Sequence, residues 1–358
     1  TNELARTLAA EHLPIYRLGF GQSPFPVPEP VVAAMRAAVS RKEYSEVQGL
    51  PELRRAIAGF HNSMEGHCWR PEELIVGTGS KILLFCLMAA LSSADVALPT
   101  PSWVSYEPQA ALAGHRVLRI ETRGEDGWQL TPEGLEQFCS VRTDRSRPLL
   151  LVLNYPGNPV GRSHDAGTLE QFAEVLRRHA VLVISDEIYG LLHHDGTHRS
   201  LAHYYPEGTV ISTGLSKWCG AGGWRLGVAR VPPELGGEYF QRVLGIASET
   251  YSSASTPVQL AAIAAYQHTT AIEQYLSAQR SILREVGQQC ADRLRRAGAR
   301  VAAPEGGFYL FPDFSPFTEQ LGNRGITTDQ AMTETLLRET GVSLLAGSAF
   351  GMPASSMT

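Results

Sequence analysis

The sequence predicts an α/β protein: a large domain on a mostly parallel sheet flanked by helices, joined to a smaller α+β domain. Three observations carry this prediction. Short runs of aliphatic and β-branched residues recur between Leu74 and Val231 without apolar/polar alternation, the pattern of a sheet buried on both faces. Helical segments fall between them, giving the βαβ order of parallel strands. At 358 residues the chain also exceeds the usual size of one hydrophobic core.

The N-terminal stretch through Leu18-Gly19-Phe20-Gly21-Gln22-Ser23-Pro24 is rich in glycine and proline. Helices are expected over Val31 to Val39 and Glu52 to Phe60, because Pro30 and Pro51 stand at or near first-turn positions. Leu74 to Val76 reads as a strand, Ile82 to Leu91 as a buried helix, and Asp95 to Leu98 as a strand. Further strands are expected at Arg116 to Ile120, Leu149 to Leu153, Val181 to Ser185, Val210 to Ser212 and Leu226 to Val231, with a crossover helix from Thr168 to Arg178. The character changes near Thr269. Ala271 to Arg296 is a long amphipathic helix ended at Gly298. A strand signal (Gly307 to Phe311), a loop at Asn323-Arg324-Gly325, a helix (Asp329 to Glu339) and a short strand (Val342 to Leu345) follow. The expected division is residues 22–275 for the large, cofactor-binding domain, with 1–21 and 276–358 forming the small one.

Composition narrows the function. A net charge of -5 and a pI near 6.1 give no electrostatic reason to expect nucleic acid or an anionic membrane as partner. Arg293 to Arg296 sit on a helical pattern and read as a solvated face. The five cysteines are far apart and odd in number, which argues against a disulfide framework. The longest apolar run, Ile82 to Leu91, is half of the ~20 residues a membrane span needs. No signal-peptide pattern opens the sequence, and a cytoplasmic protein is expected.

The chemistry starts at Ser216-Lys217, followed by Trp218-Cys219-Gly220-Ala221-Gly222-Gly223-Trp224-Arg225. Burial behind an apolar strand would lower the lysine's pKa and make its amine nucleophilic. Arg225, eight residues on, could grip a phosphate. Asp186 ends the strand before Glu187-Ile188-Tyr189, where open α/β sheets place ligands. A carboxylate there requires a cation such as a protonated pyridine nitrogen, or else serves as a helix N-cap. Asn158, in Asn154-Tyr155-Pro156-Gly157-Asn158-Pro159, can donate into the same crevice or simply hold a turn. Gly77-Thr78-Gly79-Ser80-Lys81 opens a helix whose first N–H groups suit a phosphate, although its spacing is neither Walker A nor GxGxxG. Lys81 could touch that phosphate or be a solvated lysine. Trp103 could stack on a flat ring or pack in the core.

Together these motifs resemble the class I/II aminotransferases, pyridoxal 5'-phosphate (PLP) enzymes of fold type I. The likeness runs over essentially the whole chain. It implies that Lys217 is the Schiff-base lysine, that Ser216 and Arg225 bind phosphate, and that Asp186 pairs with the pyridine nitrogen. It further implies that Tyr189 and Asn158 bond the ring hydroxyl, that Trp103 stacks on the ring, and that Gly79, Ser80 and Lys81 cradle the phosphate. Tyr44, in Tyr44-Ser45-Glu46-Val47-Gln48-Gly49-Leu50-Pro51-Glu52-Leu53-Arg54, matches the YxxxxGxxxLR segment, whose tyrosine reaches the neighbouring subunit's phosphate. A homodimer with shared sites follows, acting on an amino acid and a 2-oxo acid. Two departures stand out. Gly214 replaces a serine found in many members, and the sequence stops at Thr358, after Gly347 to Gly351 but before the expected substrate-carboxylate arginine. Either the native chain continues, which is the expectation, or α-carboxylate binding is compromised.

The same cofactor motifs serve C–S or β-lyases, decarboxylases and cyclopropane-forming synthases, and also a PLP-binding protein without turnover. Side-chain preference is not legible; Tyr16, Arg17 and Gly21 to Ser23 are candidate substrate-lobe contacts. His193-His194-Asp195 reads as a loop rather than a metal site, and no metal is expected.

Overall fold

The computed structural model describes residues 2–358. Its strands are β1 (Tyr16–Arg17), β2 (Leu74–Gly77), β3 (Asp95–Thr100), β4 (Arg116–Glu121), β5 (Leu149–Asn154), β6 (Leu182–Asp186), β7 (Thr209–Gly214), β8 (Gly227–Arg230) and β9 (Val342–Ser343). Seven form one sheet in the order β2-β8-β7-β6-β5-β3-β4, in which only β8 runs antiparallel to its neighbours. The other two, β1 and β9, pair in parallel, so the N-terminal segment joins the C-terminal one.

The missing alternation in the strands has a simple cause. Residues of one parity, such as Val96, Leu150, Val152 and Ile184, pack under the helices Ser80–Ala89 and Gly237–Thr250. Those of the other, such as Ala97, Leu151, Leu153 and Val183, pack under Pro132–Val141 and Ala166–Arg178. Both faces are therefore apolar. A third core lies beside β2, β7 and β8, where helices Pro51–Glu65, Thr256–Ala265 and Thr270–Arg296 close around the fully buried Trp218. Its indole stacks on Phe60, with ring centroids 5.7 Å apart and planes 13° from parallel.

One predicted element is corrected. Gly307 to Phe311 is not a strand: Gly307 sits at φ +64°, a left-handed turn that breaks the extended run. Only isolated bridges, His193 to Gly306 and Arg300 to Asp313, flank it. The last strand ends at Ser343 rather than Leu345. Helices Tyr106–Leu112 and Thr256–Ala265 carry no clear amphipathic signal, the first because it is short and the second because it is apolar nearly all round. No helix among the described residues is long and apolar enough to cross a membrane.

Candidate active site

The parallel strands deliver their C-terminal ends to one crevice. Asn154 ends β5 directly opposite Asp186 at the end of β6, and its Nδ2 donates to the Asp186 carbonyl at 2.7 Å. Above them opens a cavity of about 380 Å³, whose lining includes Ser80, Trp103, Asn158, Asp186, Tyr189 and Lys217. Of the side chains singled out in the sequence, those are the ones that face it. Gly79, Lys81, Ser216 and Arg225 are not among the residues that line it.

Lys217 projects from the loop after β7. Its neighbour Trp218 is locked in the third core, and the Trp218 carbonyl accepts a 2.7 Å bond from Gln279 on the long helix. That anchorage fixes the lysine stem. Its amine donates to the Gly21 carbonyl at 2.6 Å and lies 5.6 Å from the Tyr189 ring centroid. Burial pulls the Lys217 pKa down and Arg225 adds to the effect, while Asp186 opposes it. The amine is thus biased toward its neutral, nucleophilic form.

Asp186 is buried, and burial pushes its carboxyl up to about 6. Its Oδ2 accepts a 2.7 Å bond from the Tyr106 hydroxyl, and its Oδ1 a long 3.4 Å bond from the Ile188 N–H. No α-helix follows it, so it is not an N-cap. The adjacent Glu187 turns the other way, accepting from Ser185 (2.8 Å), Ser200 (2.7 Å) and His198 (2.9 Å), which pins the segment that carries Asp186. Tyr189 shares a 2.8 Å bond with the Tyr309 hydroxyl. Tyr106, Asn154 and Tyr309 were not singled out as site residues from the sequence. Tyr106 is an aromatic three places after Trp103, and that was its one local signal.

The rim is shaped by glycine. Gly77, Gly227 and Gly214 lie side by side across β2, β8 and β7. A Cβ on Gly227 would collide with the Ser80 backbone nitrogen, so glycine lets the start of helix Ser80–Ala89 sit against the sheet. A Cβ on Gly79 would collide with the Arg225 guanidinium, which lies across that turn and donates to Gly222 at 2.9 Å. The departure at Gly214 also has a reason: a Cβ there would stand 2.6 Å from the Leu226 carbonyl, leaving no room for serine. Lys81 places its ammonium 5.1 Å from the Trp103 ring centroid. Tyr44 is 94% exposed and does not line the cavity.

These residues fit PLP. Neither hydrogen-bond partner of the buried Asp186 is a cation, which suits a protonated ring nitrogen. The helix start at Ser80, with Arg225 held against Gly79, forms a cradle for a phosphate. Among the described residues no His/Cys/Asp/Glu cluster could hold a metal ion. His194 instead bonds the Gly307 carbonyl at 3.0 Å, and Asp195 pairs with Arg284.

Fold and site suit an enzyme of PLP fold type I, and comparison with known proteins supplies the class: residues 14–357 match the family described as aminotransferase class I and II. The chain belongs to that family, whose members depend on pyridoxal phosphate and exchange amino groups between amino and 2-oxo acids. It is 34% identical to an aspartate/prephenate aminotransferase of Cereibacter sphaeroides, over 97% of this chain and 87% of that one. It is 32% identical to an asparagine–oxo-acid transaminase of Streptococcus mutans, over 99% and 88% respectively. Among solved structures, aspartate aminotransferase from Thermus thermophilus with maleate superposes with a TM-score of 0.87 at 30% identity, covering 98% of this chain and 88% of that one.

Proposed function

We propose that Lys217 carries the amino-group transfer, with Asp186, Tyr189, Asn158, Trp103, Ser216, Arg225 and Gly79 to Lys81 holding the cofactor. The single observation behind this reading is that the half-buried Lys217 amine and the buried Asp186 carboxylate face one cavity. The cofactor, when bound, supplies the electron sink that makes an amino acid's Cα–H acidic. Lys217 Nζ, biased toward neutral, would take that proton and return it. Asp186 would keep a proton on the ring nitrogen. Tyr189, its hydroxyl oriented by Tyr309, and Asn158 would bond the ring hydroxyl, and Trp103 would flank the ring. Arg225, Ser216 and the Gly79 to Lys81 turn would hold the phosphate.

The proposal extends to a homodimer, supported by Tyr44, a large aromatic left almost fully exposed. It includes the division into 22–275 and 1–21 with 276–358, supported by the β1–β9 pairing, and a cytoplasmic setting, supported by five free cysteines. The aspartate in the relatives' names makes aspartate the first donor to try. The test is the absorbance of the holoenzyme as amino acids are added one at a time. Loss of the cofactor's visible band with a donor, restored by a 2-oxo acid, is the expected outcome. A band that persists, or returns with no 2-oxo acid added, while ammonia or carbon dioxide is released would instead assign a lyase or decarboxylase.

A further inference from the structure

Asp186 receives one short hydrogen bond, and it comes from a residue that nothing in the motif pattern assigns. We propose that Tyr106 is a positioning residue: through Oδ2 of Asp186 it fixes that carboxylate and holds it ionised for the cofactor's ring nitrogen. This inference rests on the Asp186 role proposed above.

The geometry is specific. Tyr106 opens the helix Tyr106–Leu112 after β3, two strands away from β6 in the sheet. Its ring is buried and packs edge-on against Trp103, with centroids 5.2 Å apart and planes at 77°. Its hydroxyl donates to Asp186 at 2.7 Å. The contact therefore couples the residue flanking the ring to the residue facing its nitrogen. The titratable groups around Asp186 are Tyr106, its chain neighbour Glu187, Lys217 from the loop after β7, and Tyr189, which Tyr309 in turn bonds. Burial and the nearby Asp186 charge hold the Tyr106 phenol well above its ordinary range, so it keeps its proton and remains a donor. A committed donor favours the ionised carboxylate, opposing the burial that favours the neutral one. Without the hydroxyl, Asp186 would stay neutral to a higher pH, and a neutral carboxyl cannot hold the nitrogen's proton by charge.

The experiment measures binding of PLP and of its 1-deaza analogue, which carries C–H in place of the ring nitrogen. Both are titrated into apoenzyme across pH, using the wild-type protein, Tyr106→Phe and Asp186→Asn. The wild-type protein should prefer PLP. Tyr106→Phe should cut that preference by up to roughly tenfold below pH 6, where an Asp186 shift of about one unit leaves far less carboxylate, and recover it as the pH rises and Asp186 ionises. Equal weakening of both ligands at every pH would reduce Tyr106 to a packing residue and overturn the proposal. Asp186→Asn should abolish the preference. Should that variant keep it, Asp186 is not the nitrogen's partner, and the underlying assignment fails whatever Tyr106 does.

Discussion

Lys217→Ala is expected to lower transamination by about four orders of magnitude or more. The substitution removes the amine that would bond the cofactor and the base that would move the Cα proton. No other lysine can substitute from its place. The sequence has three lysines; Lys42 is exposed on the segment before Tyr44, and Lys81 is an exposed residue whose ammonium rests over Trp103. Steady-state assay with aspartate and a 2-oxo acid checks this, and activity within about tenfold of the wild-type protein would remove Lys217 from the mechanism. The fold should tolerate the change, because the lysine stem ends in one hydrogen bond to Gly21, while the loop is anchored by Trp218 and Gln279.

Asp186→Asn should reduce kcat by about two to three orders of magnitude, the usual cost of deleting one preorganised charge from an active site. Its effect on stability should have the opposite sense. The folded-state pKa of Asp186 is raised, to about 6. The native apoprotein therefore binds this proton more tightly than the unfolded chain does, and above that pH the ionised carboxylate weighs against folding. Asparagine removes that charge and still accepts from Tyr106. Apoenzyme carrying Asp186→Asn should thus unfold at the same Tm or a higher one at pH 8, while the loaded enzyme is crippled. A lower Tm together with intact kcat would reverse both expectations. Pairing the two readouts separates a charge kept for function from one kept for structure.

How much of this was legible beforehand depends on distance along the chain. Asp186 at a strand end and Lys217 after another are local patterns, and the aliphatic strands announced a sheet covered on both sides. Tyr106 and Tyr309 were not legible as site residues, because their meaning lies in contacts 80 and 120 residues away in sequence, to Asp186 and Tyr189. The segment around Tyr309 even read as a strand until the turn at Gly307 interrupted it. Likewise Gly214 stood out only as a departure from the family's serine. Its place in a row with Gly77 and Gly227, tight against the Leu226 carbonyl, adds a packing requirement. Helix Thr256–Ala265 was hidden for a different reason: residues buried on most sides leave no period to detect.

Whether Lys217 bears the cofactor is read out by borohydride reduction of the holoenzyme followed by peptide mapping. Reduction makes the lysine–cofactor bond permanent, and with three lysines in the chain the outcomes are few. One labelled peptide is expected, the one that contains Ser216-Lys217-Trp218. Label on Lys81 or Lys42, or no covalent label on a protein that still turns over, would contradict that role for Lys217.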